Sequence, residues 1–162
     1  MNSVCAELLQ IHLRWMKGDD LNRVYEIEQQ TASRPWLPLE FARILNHPHC
    51  VGMVAEHEGE IVGFIIYELT RQAFRLWNIA VLPEFQRQGV GSQMLARVAC
   101  RLDGSCRHGI RLEVQESNLA AQLFFRSLGF RAVSIQRSPS NDQEEDVYVM
   151  QYCHRRPRLV AA

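Results

Sequence analysis

The amino-acid sequence predicts an α/β protein with a single mixed, mostly antiparallel sheet of about seven strands and helices on both faces. Seven segments have the alternating or continuous apolar pattern of strands, and apolar residues recur at helical spacing between several of them. A helical pattern also separates strands four and five, and a helix between two strands is the crossover that parallel pairing requires. Strands four and five are therefore predicted to be parallel neighbours.

The first part of the chain predicts one strand and two helices. Strand one alternates over residues 9–15, and helix one follows a turn-prone segment, with Glu26 and Glu28 expected as acids at its positive end. Two prolines then break the chain before a shorter helix at residues 40–46. These elements form the first strand and the first helical layer of the predicted fold.

Three more strands follow in close succession. CVGMVAEH and IVGFIIYELT flank Glu58-Gly59-Glu60, in which a glycine suits the tight turn of a hairpin. AFRLWNIAVL is strand four, and its nearly continuous apolar end predicts burial on both faces. The sequence thus predicts strands two, three and four.

The second half of the chain predicts two helices and three strands. Helix three runs from Gly91 to near Asp103, and GIRLEV is strand five. Ser117 or Asn118 is expected to cap helix four, which ends at Gly129. FRAVSIQR and DVYVMQYC then form a closing hairpin around the polar segment SPSNDQEE.

Composition restricts the kind of protein and its surroundings. The chain has 162 residues, and its eighteen basic and eighteen acidic side chains cancel, so no global field attracts it to nucleic acid or an anionic membrane. No stretch reaches the roughly 18 apolar residues of a membrane span, and MNSVCAELLQ lacks the form of a signal peptide. We therefore expect a cytoplasmic protein with residues 1–153 as one domain and residues 154–162 as a basic tail.

The cysteines are odd in number and have no spacing suited to zinc. We expect reduced thiols and no metal site. The five residues are Cys5, Cys50, Cys100, Cys106 and Cys153.

A glycine-containing loop joins strand four to helix three. It places unpaired backbone N–H groups at a helix N-terminus, where the helix dipole also favours negative charge. Glycines allow close backbone approach to a phosphate, and an arginine in the loop adds a charge-assisted contact. The spacing differs from the nicotinamide-dinucleotide and Walker motifs, so those classes are disfavoured. Taken alone, the spacing leaves open whether the glycines bind phosphate or only shape a turn. The loop consists of Gln86, Arg87, Gln88, Gly89, Val90, Gly91 and Ser92.

Two stretches of the chain carry a family resemblance. QRQGVG resembles the [Q/R]-x-x-G-x-[G/A] signature of the GNAT acetyltransferases. NIAVLPEFQRQGVG, followed by LEVQESNLAAQLFFRSLGF, is similar to the RimI-like branch, whose members acetylate the N-terminal amine of a ribosomal protein. The resemblance covers roughly residues 76–130, and it implies the GNAT fold, in which strands four and five splay apart.

The resemblance also implies how acetyl-coenzyme A is bound. The loop at 86–92 would grip the pyrophosphate, and the pantetheine arm would bond to the strand-four backbone at Ile79, Ala80 and Val81. Asn118 matches an asparagine that contacts the co-substrate from helix four. On an ideal helix Asn118, Ala121 and Phe125 share one face, and the stripe of Leu119 and Leu123 lies about 100 to 140° away. One stripe is therefore expected to face ligand while the other packs.

Acetyl transfer needs a neutral amine, because an ammonium has no lone pair, and a base must therefore take a proton directly or through water. Glu113 in RLEV matches the general base of the RimI-like branch, although the residues alone also allow an ordinary carboxylate at the end of a strand. Phe125 stands where the family has a tyrosine that assists the departing thiolate. The usual general acid is therefore absent, but a thiol pKa of about 8.5 makes the thiolate a tolerable leaving group near neutral pH.

The resemblance implies that the acceptor site is formed by the segments Thr31–Leu39 and Arg137–Asp146. Trp36 fits either this site or the core. The hairpin acids attract a cationic amine or form a solvated turn; they are Asp142, Glu144, Glu145 and Asp146. Three tail arginines are interpreted as part of a soluble tail; they are Arg155, Arg156 and Arg158.

The leading functional prediction is acetyl transfer to the N-terminal α-amine of a protein, which is ribosomal in the RimI-like branch. A small-molecule amine acetyltransferase is the enzymatic alternative. A coenzyme A-binding module with little turnover is the second alternative, and Phe125 gives it weight because the family's acidic hydroxyl is missing.

Overall fold

The computed structural model describes residues 7–137 and 145–154. Its seven strands form one sheet in the order β1-β2-β3-β4-β5-β7-β6. Strands β4 and β5 are parallel, with Phe74 opposite Ile110 and Arg75 opposite Arg111. Four other pairs are antiparallel: β1 with β2, β2 with β3, β5 with β7, and β6 with β7. The predicted mixed sheet and its parallel pair are confirmed, whereas the splay of β4 and β5 stays a prediction.

The strands follow the predicted segments closely. Strand one is shorter than predicted because Leu9 bonds to a loop rather than to β2: its backbone N–H donates to the Gln88 carbonyl at 3.0 Å. The strands are β1 His12–Trp15, β2 Cys50–His57, β3 Glu60–Leu69, β4 Phe74–Val81, β5 Gly109–Gln115, β6 Arg131–Gln136 and β7 Val147–Cys153.

The helices differ from prediction mainly at their ends. Proline begins α2 rather than preceding it, because its fixed φ suits the first helical position. Helix α1 begins at Leu21, so the prediction that Glu26 and Glu28 lie at its positive end is wrong. Helix α3 ends earlier than predicted, and turn residues follow it. The helices are α1 Leu21–Thr31, α2 Pro38–Leu45, α3 Val90–Cys100 and α4 Leu119–Ser127.

The chain divides into two compact units, of which the first contains residues 1–69 and 77–97. Helices α1 and α2 pack on one face of its strands, where Phe41 meets Phe64 with the rings edge to face and 5.9 Å apart. This packing forms a continuous apolar core whose buried members are Val24, Ile27, Phe41, Ile44, Val54, Phe64, Ile66, Ala80 and Leu82. The opposite face of β3 lies against α3, because a Cβ at Gly63 would lie 3.3 Å from the Met94 methyl group.

The second unit contains residues 70–76 and 98–162. Helix α4 packs Phe125 against Phe130 at a ring distance of 5.4 Å, and Phe130 lies 5.6 Å from the ring of Tyr152 on β7. The strands contribute alternate buried residues, which are Ile110, Leu112, Val114 and Met150. One face of β5 and β7 is therefore apolar and covered, whereas the other carries Arg111, Glu113 and Gln151 beside Val149, which is 1% exposed.

A charged network anchors the start of α1 to the sheet in the first unit. Arg14 donates to both carboxylate oxygens of Asp20, at 2.7 and 2.9 Å, and to Glu56 at 2.8 Å. The hydrogen bond from Arg14 lowers the pKa of Asp20 below its ordinary value, and that of Arg14 is raised chiefly by its bond to Asp20. The network therefore stabilises the fold most where both groups are charged.

The remaining expectations concern cysteines, metals and membranes. Four cysteines are unbridged thiols, and burial raises the pKa of Cys50; Cys5 lies outside the described residues. Within residues 7–137 and 145–154, no three or more His, Cys, Asp or Glu side chains are grouped to hold a metal ion. In the same ranges no helix has the length and apolar character needed to cross a membrane.

Candidate active site

The end of β4 supplies the backbone predicted to bind the pantetheine arm. Ala80 is buried, whereas Ile79 and Val81 are partly exposed. Gly63 on β3 is needed beside this segment, because a Cβ there would lie 2.8 Å from the Ala80 carbonyl oxygen. The Val81 carbonyl accepts a bond from the side chain of Gln86 at 2.9 Å. The segment is therefore held firmly against its neighbours, and its contact with a pantetheine arm stays a prediction.

The loop after β4 holds itself in shape with its own side chains. Gln88 donates from its side chain to the Glu84 carbonyl at 2.8 Å, and two residues have left-handed backbone, Arg87 at φ 61° and Gly89 at φ 82°. Gly89 then accepts the first helical bond of α3, from the N–H of Gln93 at 3.0 Å. Because the first N–H groups of a helix have no partner within it, Gly89 to Ser92 present donors suited to a phosphate.

An N-terminal segment lies against this loop. The sequence patterns did not predict this contact. Besides the bond from Leu9 to Gln88, the Gln93 side chain donates to the Leu9 carbonyl at 2.9 Å. A Cβ at Gly89 would collide with the side chain of Leu8. Gly89 is therefore required both by its positive φ and by the close approach of this segment.

Glu113 lies on β5 in the second unit. Its neighbours Leu112 and Val114 are buried on the opposite face, whereas the Glu113 side chain is 43% exposed. The guanidinium of Arg75 lies 3.4 Å from Glu113 Oε1. A carboxylate held at a strand surface by one cation, with much of its area open to solvent, is able to accept a proton from an incoming amine.

Helix α4 begins at one of the two caps that the sequence predicted. Asn118 is the N-cap, and its Oδ1 accepts from the N–H of Ala121 at 3.1 Å. Ser117 instead donates through its backbone and its hydroxyl to the carboxylate of Glu145. The Asn118 amide nitrogen takes no part in the cap, and its contact with the co-substrate stays a prediction.

The stripe of α4 that was predicted to pack does not do so. Leu119 and Leu123, predicted to pack, are 61% and 55% exposed, whereas Phe125 is 5% exposed. The reason is that Phe125 packs between Phe124 and Phe130, at ring distances of 5.2 and 5.4 Å. The aromatic side chain that replaces the family tyrosine is therefore fixed in a cluster of rings.

A buried glutamate anchors the segment predicted to form one side of the acceptor site. Glu28 is only 2% exposed; its Oε1 accepts from the backbone N–H of Trp36 and its Oε2 from the side chain of Asn78, both at 3.0 Å. Trp36 packs edge to face on Phe41, so it contacts the core. Sequence reasoning placed Glu28 at the start of the helix and missed its buried position, although its spacing of four residues from Val24 puts it on the apolar stripe of α1.

The other predicted side of the acceptor site is described only at its ends. Asp142 and Glu144 lie outside the described residues, as do Arg155, Arg156 and Arg158. Glu145 bonds to Ser117, and the Asp146 carbonyl accepts from the N–H of Glu116 at 2.9 Å.

Comparison with known proteins agrees with this arrangement. The model of the Acetyltransferase (GNAT) family matches residues 21–130. The [ribosomal protein bS18]-alanine N-acetyltransferase of Escherichia coli K12 is 33% identical over 137 residues, which are 83% of this chain and 92% of that protein. The crystal structure of the E. coli ribosomal-protein-S18-alanine N-acetyltransferase superposes with a TM-score of 0.79 at 30% identity, covering 89% of this chain and 94% of that one.

A plant structure shares the fold alone. Arabidopsis thaliana NAA60 in complex with acetyl-CoA has a TM-score of 0.77 at 17% identity, covering 90% of this chain and 100% of that one. The chain belongs to the GNAT acetyltransferase family. It is an acetyl-CoA-dependent acetyltransferase, as the sequence resemblance implied, and similar to the RimI-type enzymes of bacteria.

Proposed function

We propose that this enzyme transfers the acetyl group of acetyl-CoA to the N-terminal α-amine of a protein. The observation that carries the proposal is Glu113, a half-exposed carboxylate on β5, to which the resemblance of the RLEV motif assigns the role of base. The bacterial relatives, which align over more than four fifths of this chain, are named for acetylating the alanine terminus of ribosomal protein bS18. A ribosomal protein terminus is therefore the first acceptor to test.

The first unit carries the groups that would hold the co-substrate. The N–H groups from Gly89 to Ser92 and the guanidinium of Arg87 suit a pyrophosphate, since backbone donors at a helix start and a cation both favour negative charge. The backbone of Ile79, Ala80 and Val81 would receive the pantetheine arm, and Gln86 and Gln88 fix the loop between these segments.

The second unit carries the groups assigned to the reaction. Acetyl-CoA supplies a thioester whose carbonyl carbon is open to attack. Glu113 takes a proton from the amine, directly or through water, as the new C–N bond forms and the C–S bond breaks. The sulfur leaves as a thiolate that solvent protonates, because Phe125 has no hydroxyl to do so. Asn118, Ala121 and Phe125 are assigned to the side of α4 that meets the co-substrate.

We further assign residues 1–153 to one acetyltransferase domain of a cytoplasmic enzyme. The matched family segment includes parts of both compact units. Residues 154–162 form the basic tail of this assignment, and all but His154 lie outside the described residues.

The test is a screen of acceptors with purified enzyme and acetyl-CoA, in which thiol release is recorded and the product is located by mass spectrometry. We expect acetylation of the α-amine of peptides with the alanine terminus of bS18, and none of the same peptides with a blocked terminus. Turnover only with small amines would favour the small-molecule alternative. Binding of acetyl-CoA without turnover on any acceptor would favour the coenzyme A-binding module, to which the missing hydroxyl at Phe125 gives weight.

A further inference from the structure

A short segment before β1, residues 8–10, bonds to both ends of the stretch assigned to the pyrophosphate. We call residues 8–10 the N-terminal strap. Leu9 uses both of its backbone groups: its N–H donates to the Gln88 carbonyl at 3.0 Å, and its carbonyl accepts from the Gln93 side chain at 2.9 Å. Gln88 and Gln93 flank residues 89–92, whose N–H groups are assigned to the pyrophosphate. The strap therefore contacts the chain on either side of these donors.

The strap is also fixed to the sheet. A carbonyl oxygen can only accept, so the ring of His57 donates from Nδ1 to the Gln10 carbonyl, at 2.8 Å. His57 is the last residue of β2, and its ring lies 5.8 Å from the ring of Phe85, just before the loop. The strap is thus held between the end of β2 and the loop, which gives Leu9 a defined position.

The bond from Leu9 sets the direction of one donor in the loop. The Gln88 carbonyl and the Gly89 N–H belong to the same planar trans peptide, so they point in opposite directions. Because the carbonyl points to the strap, the Gly89 N–H points away from it. Within residues 7–137 and 145–154 this N–H donates to no protein group. It is therefore available to a ligand on the side of the loop away from the strap.

The loop does not fix this direction by its own sequence. Rotation of the Gln88–Gly89 peptide changes ψ of Gln88 and φ of Gly89, and glycine adopts positive and negative φ about equally readily. Gly89 has φ 82°, and the glycine itself does not exclude the flipped peptide. In that form a carbonyl oxygen would face the ligand and repel a pyrophosphate. The hydrogen bond from Leu9 favours the orientation that presents a donor.

We propose that the N-terminal strap orients the Gly89 N–H toward the pyrophosphate of acetyl-CoA, with Leu9 and Gln93 as positioning residues. This inference rests on the proposed function, since it uses the assignment of residues 86–92 to the pyrophosphate. When only a fraction of a protein is competent to bind, its apparent affinity falls by that fraction. Loss of a strap bond therefore weakens acetyl-CoA binding. It leaves the chemical step unchanged, because the strap lies in the first unit and Glu113 in the second.

Two variants each remove one strap bond. Leu9→Pro lacks the N–H that bonds to Gln88, and Gln93→Met keeps a long, helix-compatible side chain without its donor. The matched control is Gln10→Pro, because the Gln10 N–H makes no hydrogen bond within residues 7–137 and 145–154. Calorimetry measures the Kd of acetyl-CoA. One hydrogen bond changes an equilibrium constant about two- to tenfold, so we expect Kd to rise by that factor in both variants and to stay nearly unchanged in Gln10→Pro.

A second acetyl donor distinguishes positioning of the pyrophosphate from general damage to the site. S-acetylpantetheine has the thioester and the arm of acetyl-CoA but lacks the pyrophosphate. The acceptor is a peptide with the alanine terminus of bS18. In Leu9→Pro and Gln93→Met we expect the KM of acetyl-CoA to rise with its Kd, whereas kcat with acetyl-CoA and kcat/KM with S-acetylpantetheine stay within about twofold of wild type.

The possible results separate this inference from the proposed function. An unchanged Kd of acetyl-CoA in folded Leu9→Pro and Gln93→Met would overturn the inference. An equal loss of kcat/KM with both donors would also overturn it, because that pattern indicates general damage. Normal acetyl-CoA binding by folded Gly89→Glu would show that the loop does not hold the pyrophosphate, and the inference would fail with that assignment. If no peptide is acetylated, the proposed acceptor fails, and the Kd values of the variants still decide the inference.

Discussion

Replacing Glu113 with glutamine tests the assigned base with little change of shape. The side chain loses its charge and its ability to accept a proton, while its size and exposure stay nearly the same. The ion pair with Arg75 is long, at 3.4 Å, and its members are 41% and 43% exposed. Such a pair stabilises a fold by at most about 1 kcal/mol. The melting temperature should therefore fall by no more than about 2 to 4 °C.

The effect on the reaction should be much larger than the effect on stability. General-base assistance contributes about 10² to 10⁴ in rate, so Glu113→Gln should lower kcat by that factor near neutral pH and leave acetyl-CoA affinity nearly unchanged. Steady-state thiol release at saturating substrates, from pH 6 to 9, measures it. Glu116→Gln is the matched control, because Glu116 is an exposed glutamate just beyond the end of β5. Equal kcat for wild type and Glu113→Gln across that range would remove Glu113 from the mechanism.

Three further substitutions test other parts of the structure. Gly89→Glu should abolish acetyl-CoA binding, measured by calorimetry, because bulk and negative charge both oppose a pyrophosphate. The control variant Gly104→Glu, whose change lies in an open turn, should bind acetyl-CoA normally. Unchanged affinity in a folded Gly89→Glu protein would contradict the assignment of this loop to the pyrophosphate. Asp20→Asn should flatten the pH dependence of the free energy of unfolding. Because the pKa of Asp20 is lowered in the folded protein, its ionised carboxylate stabilises the fold fully above the ordinary carboxyl pKa, and this stabilisation is lost as the pH falls below that value. Urea titrations that show the same loss of stability at acid pH in the variant and the wild type would refute this. Phe125→Tyr should raise kcat about two- to tenfold if thiolate departure limits turnover. An unchanged kcat would contradict the claim that the missing hydroxyl slows the enzyme, provided that a crystal structure shows the new hydroxyl beside the sulfur and that chemistry is rate-limiting.

Most of the fold could be predicted because the periodicity of each element is local. The hairpin of β2 and β3 and a cap at Ser117 or Asn118 both followed from residues near each other in the chain. One error lies where a distant contact determines the structure: Leu9 does not join β1, and the side chain of Gln93, 84 residues away, bonds to it. Another lies within α4, where Leu119 and Leu123 stay exposed because Phe125 takes the core position of the helix.

The site was predicted only where a motif identifies its residues. Glu113 and the loop at 86–92 lie in stretches that resemble the family, and their chemical roles stay predictions. Arg75 could not be assigned from sequence, because it meets Glu113 across 38 residues through the parallel pairing of β4 and β5.

Glu28 links two parts of the first unit that have different assignments. Trp36 belongs to the segment assigned to the acceptor, and Asn78 immediately precedes the strand segment assigned to the pantetheine arm. One buried carboxylate accepts from both, across 8 and 50 residues. Because an unsatisfied buried donor costs about 1 to 3 kcal/mol, moving Trp36 or Asn78 away from Glu28 is unfavourable. The loop that contains Trp36 and the strand that contains Asn78 are therefore both held by the Glu28 carboxylate. We therefore predict that acceptor binding and co-substrate placement are coupled through Glu28, and a change there should affect the KM values of both substrates together.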